Sequence, residues 1–156
     1  RNITFLENNK IKIHDGFYQQ IFKGKLYHSI RNYLHTIKNI NEYLIYCSGH
    51  SLGGVMATLF GYFSSYVFTD CRIAIVSFGG SKIGNKYFKE SFNKKENIIC
   101  YRFYNYRDFV TQLPPMSNYY HVGIPIKLNS NNSIYLNLLG EHGYNSYFNN
   151  LLYDKW

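Results

Sequence analysis

Tyr43-Leu44-Ile45-Tyr46-Cys47-Ser48-Gly49-His50-Ser51-Leu52-Gly53-Gly54-Val55-Met56-Ala57-Thr58-Leu59-Phe60 is the stretch that decides the fold. An apolar run of strand type enters Gly-x-Ser-x-Gly, and a run of small and apolar residues of helical type leaves it. A strand that turns sharply into a helix lifts the intervening serine above the edge of a sheet. Ser51 is therefore the candidate nucleophile. Gly49 and Gly53 are expected to flank it because the turn crowds the backbone. Ser51 itself is expected in a strained conformation.

Outward from this stretch, strand and helix signals alternate. Residues 11–13 end a short strand, and residues 16–38 carry Phe17, Ile21, Leu26, Ile30, Leu34 and Ile37 at the spacing of one long amphipathic helix. The predicted strands are 43–48, 72–78 (a buried strand), 97–104 and 120–128. The predicted helices are 51–63, 85–92 and 142–152. Asn129-Ser130-Asn131-Asn132-Ser133 reads as a turn. Such alternation implies an α/β fold with a mostly parallel sheet flanked by helices. Ligands in these folds sit at the carboxyl ends of the strands. Ser51, the glycine-rich loop at 79–84 and Asp108 all follow strand ends.

The 156 residues fit one domain, and a hydrophobic fraction of 46% provides for a core. No apolar run reaches the roughly 20 residues that span a bilayer. The chain starts at Arg1 with no methionine and no apolar leader, so it reads as an N-terminally truncated piece, and its compartment is open. The net charge is +8, with lysines grouped at 82, 86, 89, 94 and 95. They read first as a solvated face, with attraction to an anionic lipid surface as the alternative. No signature of nucleic-acid binding accompanies them. Cys47, Cys71 and Cys100 show no Cys-x-x-Cys spacing and read as small buried hydrophobes rather than zinc or redox groups.

A serine hydroxyl needs a base, and the base needs a carboxylate to orient it. The expected chain order is serine, acid, histidine. Asp70, Glu90, Glu96, Asp108, Glu141 and Asp154 follow Ser51. Asp70 and Glu96 precede strands and Glu90 lies in a helix. Asp108 lies just past a strand, in a loop with Pro114 and Pro115, and is the best orienter; its bland alternative is a turn-capping aspartate. His121 and His142 remain as bases. His142, in a loop-like stretch, is preferred over His121, which reads as structural. His50 is expected to point away from the Ser51 hydroxyl and make a structural contact. The backbone N–H of Leu52 is the first oxyanion donor, and the chain offers no convincing second one.

These residues resemble the class 3 lipases of the α/β-hydrolase superfamily. His14-Asp15-Gly16-Phe17, the Gly49–Gly54 run, residues 77–85, Arg107-Asp108-Phe109-Val110-Thr111-Gln112-Leu113-Pro114-Pro115, Tyr120-His121-Val122-Gly123, and His142 with Tyr147 are similar to that family's segments, in order. The resemblance implies one lipase-like catalytic domain over 1–156 that uses Ser51, Asp108 and His142 on lipid esters, with no cofactor or metal. It leaves room for transient contact with a membrane or lipid-droplet surface. Ser81 and Thr111 stand where the family has prolines and are expected to soften their loops. The family's strand carrying the second oxyanion donor is expected upstream of Arg1, which would leave residues 43–48 with an open edge. A missing donor costs ~10²–10³ in rate. That deficit, with the basic charge, motivates the alternative of a catalytically impaired lipid- or membrane-binding domain. A nucleotide-binding reading of Gly79-Gly80-Ser81-Lys82 lacks both phosphate-loop spacings.

Overall fold

The computed structural model describes residues 9–128 and 140–153. Four strands, β1 (Leu44–His50), β2 (Arg72–Phe78), β3 (Ile98–Asn105) and β4 (Ile124–Leu128), form an all-parallel sheet in the order β1-β2-β3-β4. The helices are α1 (Asp15–Lys23), α2 (Leu26–Thr36), α3 (Leu52–Ser64), α4 (Lys86–Asn93) and α5 (Tyr144–Tyr153). Each step from strand to strand moves the same way across the sheet. Crossovers of one hand then place their helices on one face. Accordingly, Phe88 and Phe92 of α4 pack on Tyr62 of α3, and Phe22 of α1 and Tyr27 of α2 pack on Phe63 of α3.

α3 is buried almost all round, from Gly54 and Val55 to Ser64. Beneath it lie Ile45, Cys47, Ile73, Ile75 and Cys100, the sheet side of the core. All three cysteines are buried and unpaired, as their apolar surroundings suggested. Burial pushes the Cys47 thiol up to about 11 and the Cys100 thiol up to about 12, so neither is a thiolate at neutral pH.

Several expectations need correction. The single helix over 16–38 is two helices: Gly24 ends α1, and Lys25 sits in the left-handed region at φ 59°. The apolar spacing runs through the break, so periodicity alone conceals it. Residues 11–13 form only a bridge, Ile13 to Gly84. Residues 120–123 do not extend β4, since Tyr120 bridges back to Gly84. β2 is buried on one face only, with Arg72 exposed and Ile73, Ile75 and Ser77 buried. On the other face Leu44, Tyr46, Ile99 and Ile124 are exposed. β1 pairs only with β2 among the described residues. The turn expected at 129–133 lies outside the described residues.

The glycines of the elbow divide differently from expectation. A Cβ on Gly49 would lie 2.3 Å from the carbonyl carbon and oxygen of Gly53. A Cβ on Gly53 would meet nothing within 4 Å. The crowding therefore constrains Gly49, whose clash is with rigid main chain. Gly49→Ala is expected to cost about 3 kcal/mol and lower Tm by roughly 6–12 °C. Gly53→Ala is expected to leave Tm level or raise it slightly, because alanine is the better helix former. Thermal denaturation of the two variants checks the contrast.

Candidate active site

Parallel strands bring their carboxyl ends to one edge, so Ser51, the loop after β2 and the loop after β3 are neighbours. Ser51 joins β1 to α3 at φ 57° and ψ −124°, a conformation that costs a non-glycine residue of order 1–3 kcal/mol. Its N–H donates to the Phe78 carbonyl at 2.8 Å, which pins the turn to the end of β2. Leu52 opens α3, so its N–H has no intrahelical partner and points from the positive end of the helix.

Asp108 ends the turn after β3 and is 1% exposed. Its two oxygens do different work. Oδ1 accepts from the Val110 N–H at 2.9 Å and caps a 3-10 turn, Phe109–Gln112. Oδ2 accepts from His142 Nδ1 at 2.9 Å and from the Tyr147 hydroxyl at 2.6 Å. One carboxylate thus both caps its turn and bonds the His142 imidazole, through different atoms. A carboxylate only accepts, so Nδ1 of His142 carries the proton and Nε2 presents its lone pair. Nε2 stands 2.7 Å from Ser51 Oγ, which donates to it. The chain hydroxyl, imidazole, carboxylate is continuous, with the Asp108 side chain fully buried and His142 only 15% exposed.

Tyr147 of α5 completes the carboxylate's shell. Burial, and the hydrogen bond its hydroxyl gives to Asp108, push the phenol far above its usual range, so it remains a donor. Gly79 makes room for this pair. It adopts φ +62°, and a Cβ there would lie 2.9 Å from the Tyr147 hydroxyl and 3.0 Å from Asp108 Oδ2. His50 Nε2 bonds the His142 carbonyl at 2.7 Å, the structural contact expected of it. Burial holds the His50 imidazole below its usual range. His50 also borders an apolar cavity of about 110 Å³ with Phe78, Tyr144, Tyr147, Phe148 and Leu151.

Ser81 and Thr111 do not simply loosen their loops. The Ser81 hydroxyl donates to the Val110 carbonyl at 3.1 Å, and Thr111 Oγ1 donates to the Asp108 carbonyl at 2.7 Å. Each hydroxyl supplies a restraint where a proline ring would have supplied another.

His121 stays away from the hydroxyl, between β3 and the acid loop. Burial first, then the nearby Arg102 and Lys82 charges, drive its imidazole down to about 3 against a bond to the Thr111 main chain. A histidine neutral when folded and protonated when unfolded stabilises fully above about pH 6.5. That stability drains as pH falls toward the folded value, at about 1.4 kcal/mol per unit. Between pH 7 and pH 5 the protein is expected to lose about 2 kcal/mol more than His121→Gln in urea denaturation.

The pattern of the family described as Lipase (class 3) matches residues 1–118. The chain belongs to the class 3 lipase family. That match holds Ser51 and Asp108 but stops short of His142, which the tertiary contacts bring in. Toxin TseL of Vibrio cholerae serotype O1 is 31% identical over 102 residues, 65% of this chain and 15% of the toxin. The chloroplastic phospholipase A(1) DAD1 of Arabidopsis thaliana is 34% identical over 68 residues, 43% of this chain and 15% of that protein. The Rhizomucor miehei triacylglyceride lipase superposes with a TM-score of 0.69 at 22% identity, over 81% of this chain and 48% of the lipase. The α/β-hydrolase fold is thereby shown, and the lipase-like chain spans about half or less of these relatives.

The sequence alone pointed to Ser51, Asp108 and His142, which the structure brings into hydrogen-bond contact, but gave Tyr147 no task. It also passed over Asn105, Ser146 and Asn150, which form a buried polar cluster with Glu141, next to His142 in the chain. Nothing in the spacing of single asparagines announces such a cluster.

Proposed function

We propose that this class 3 lipase is a serine ester hydrolase that cleaves carboxylic esters of acylglycerols or related lipids through an acyl-enzyme. The observation that carries the proposal is the hydrogen-bonded chain from Ser51 to His142 to Asp108, at 2.7 and 2.9 Å. Ser51 Oγ attacks the ester carbonyl carbon while His142 Nε2 takes its proton. Asp108 holds the tautomer and steadies the imidazolium. The Leu52 N–H faces the developing oxyanion. His142 then returns the proton to the departing alkoxide, which leaves as the alcohol. Water, deprotonated by the same imidazole, releases the carboxylic acid.

A lipid substrate is supported by the rim. Large, apolar side chains beside each member of the chain are exposed: Leu52 at 44% directly follows Ser51, Phe109 at 53% directly follows Asp108, and Tyr144 at 66% lies two residues past His142. Such a rim suits transient contact with a membrane or lipid-droplet surface. The apolar cavity beside His50 suits an aliphatic chain. A binding-only domain would have no need of three mutually oriented groups. The test is covalent labelling by a fluorophosphonate: one adduct per chain on Ser51 is expected, and a folded protein that stays unlabelled would refute the proposal.

A further inference from the structure

Asn105 is the last residue of β3 and has no exposed surface. Each of its polar groups is engaged. Nδ2 donates to the Glu141 carbonyl at 2.8 Å and to Ser146 Oγ at 3.0 Å. Oδ1 accepts from Asn150 Nδ2 at 2.9 Å. The main-chain N–H donates to the Tyr147 hydroxyl at 3.1 Å, and the carbonyl accepts from the Asp108 N–H at 3.2 Å. The Glu141 carbonyl can only accept, so the orientation of the amide is fixed.

Two loops meet at this one residue, the acid loop at its main chain and the loop before α5 at its side chain. Asp108 hangs three residues beyond Asn105 in the chain. Glu141 is the residue before His142, so the amide grips the main chain one peptide from the base. The Tyr147 hydroxyl that accepts from the Asn105 N–H is the same hydroxyl that donates to Asp108 Oδ2. Accepting one hydrogen bond strengthens a hydroxyl as a donor.

We infer that Asn105 is the positioning residue of the reaction, setting the distance between the acid and the base by spanning from the strand that leads to Asp108 to the carbonyl preceding His142. This rests on the ester-hydrolase reading. Asn105 touches no substrate; it acts through Asp108 and His142. A misplacement of about 1 Å at the reacting groups costs on the order of 10²-fold in rate. Substrate binding, which depends on other surfaces, is left alone.

Asn105→Ala, compared with Asn150→Ala, tests this. Asn150→Ala removes the hydrogen bond at Oδ1 and leaves the span to Glu141 intact. With p-nitrophenyl butyrate, Asn105→Ala is expected to lose roughly 10–100-fold in kcat with KM within about twofold. Fluorophosphonate labelling should slow in parallel yet reach one adduct per chain. Asn150→Ala should lose Tm while kcat stays within about threefold. Where Asn105→Ala does not fold, Asn105→Ser serves, because its hydroxyl cannot span to the Glu141 carbonyl. Unchanged kcat in the Asn105 variants overturns the inference, as do kcat losses that track Tm across all variants. A wild-type protein that neither turns over ester nor labels would refute the hydrolase reading instead. The downfield Nδ1–H proton resonance of His142 then decides Asn105 alone: its loss in the Asn105 variant supports the inference, and its persistence overturns it.

Discussion

Ser51→Ala is expected to reduce turnover of a short p-nitrophenyl ester by ~10⁴- to 10⁶-fold and to abolish fluorophosphonate labelling. The size of the effect follows from the chemistry. Without Oγ no acyl-enzyme forms, and only the oriented imidazole and the Leu52 amide remain to assist water. Folding should be unaffected or improved, because Ser51 sits at φ 57° for the sake of its exposure rather than its packing. Ser51→Gly should go further: glycine takes that conformation without strain, so Tm should rise while activity vanishes. Turnover within tenfold of the wild type in Ser51→Ala would remove Ser51 from the mechanism.

Asp108→Asn is expected to cost ~10⁴-fold in kcat. The carboxylate can only accept, and that alone fixes the proton on Nδ1 of His142. An amide that keeps its oxygen on the Val110 N–H turns an NH₂ toward His142. The imidazole then carries its proton on Nε2 and faces Ser51 as a donor, with no lone pair for the hydroxyl proton. The NH₂ also meets the Tyr147 hydroxyl, which now has to accept. The rate of acyl-enzyme formation measures the loss. A rate within tenfold of the wild type, in a variant whose Tm is unchanged, would show that Asp108 serves only to cap its turn.

The elbow was legible because its determinants are local. Six residues from Gly49 to Gly54 contain the turn, the exposed hydroxyl and the helix start, so their order states their geometry. β2 was legible to the residue, since Arg72–Phe78 is a compact run of branched and apolar side chains between turn residues. The break at Gly24-Lys25 was not, because the apolar stripe continues through it and only the direction of packing changes. The end of β4 near Tyr120 was misjudged for a related reason. Tyr120 and Val122 look like strand, but Gly84 competes for the Tyr120 main chain from across the molecule.

By itself the sequence determined the strand–turn–helix that raises Ser51, the alternating elements that make a parallel sheet, and the candidates Asp108 and His142. These follow from neighbours in the chain and from the periodicity of apolar residues. Only the tertiary structure decided that the Asp108 carboxylate divides its oxygens between a turn and an imidazole, that His142 rather than His121 reaches the hydroxyl, and that Asn105 and Tyr147 hold the two loops together. Hydrogen bonds across 34 to 91 residues of chain leave no periodic trace, because they depend on where the parallel strands end in space and not on what lies beside them in sequence.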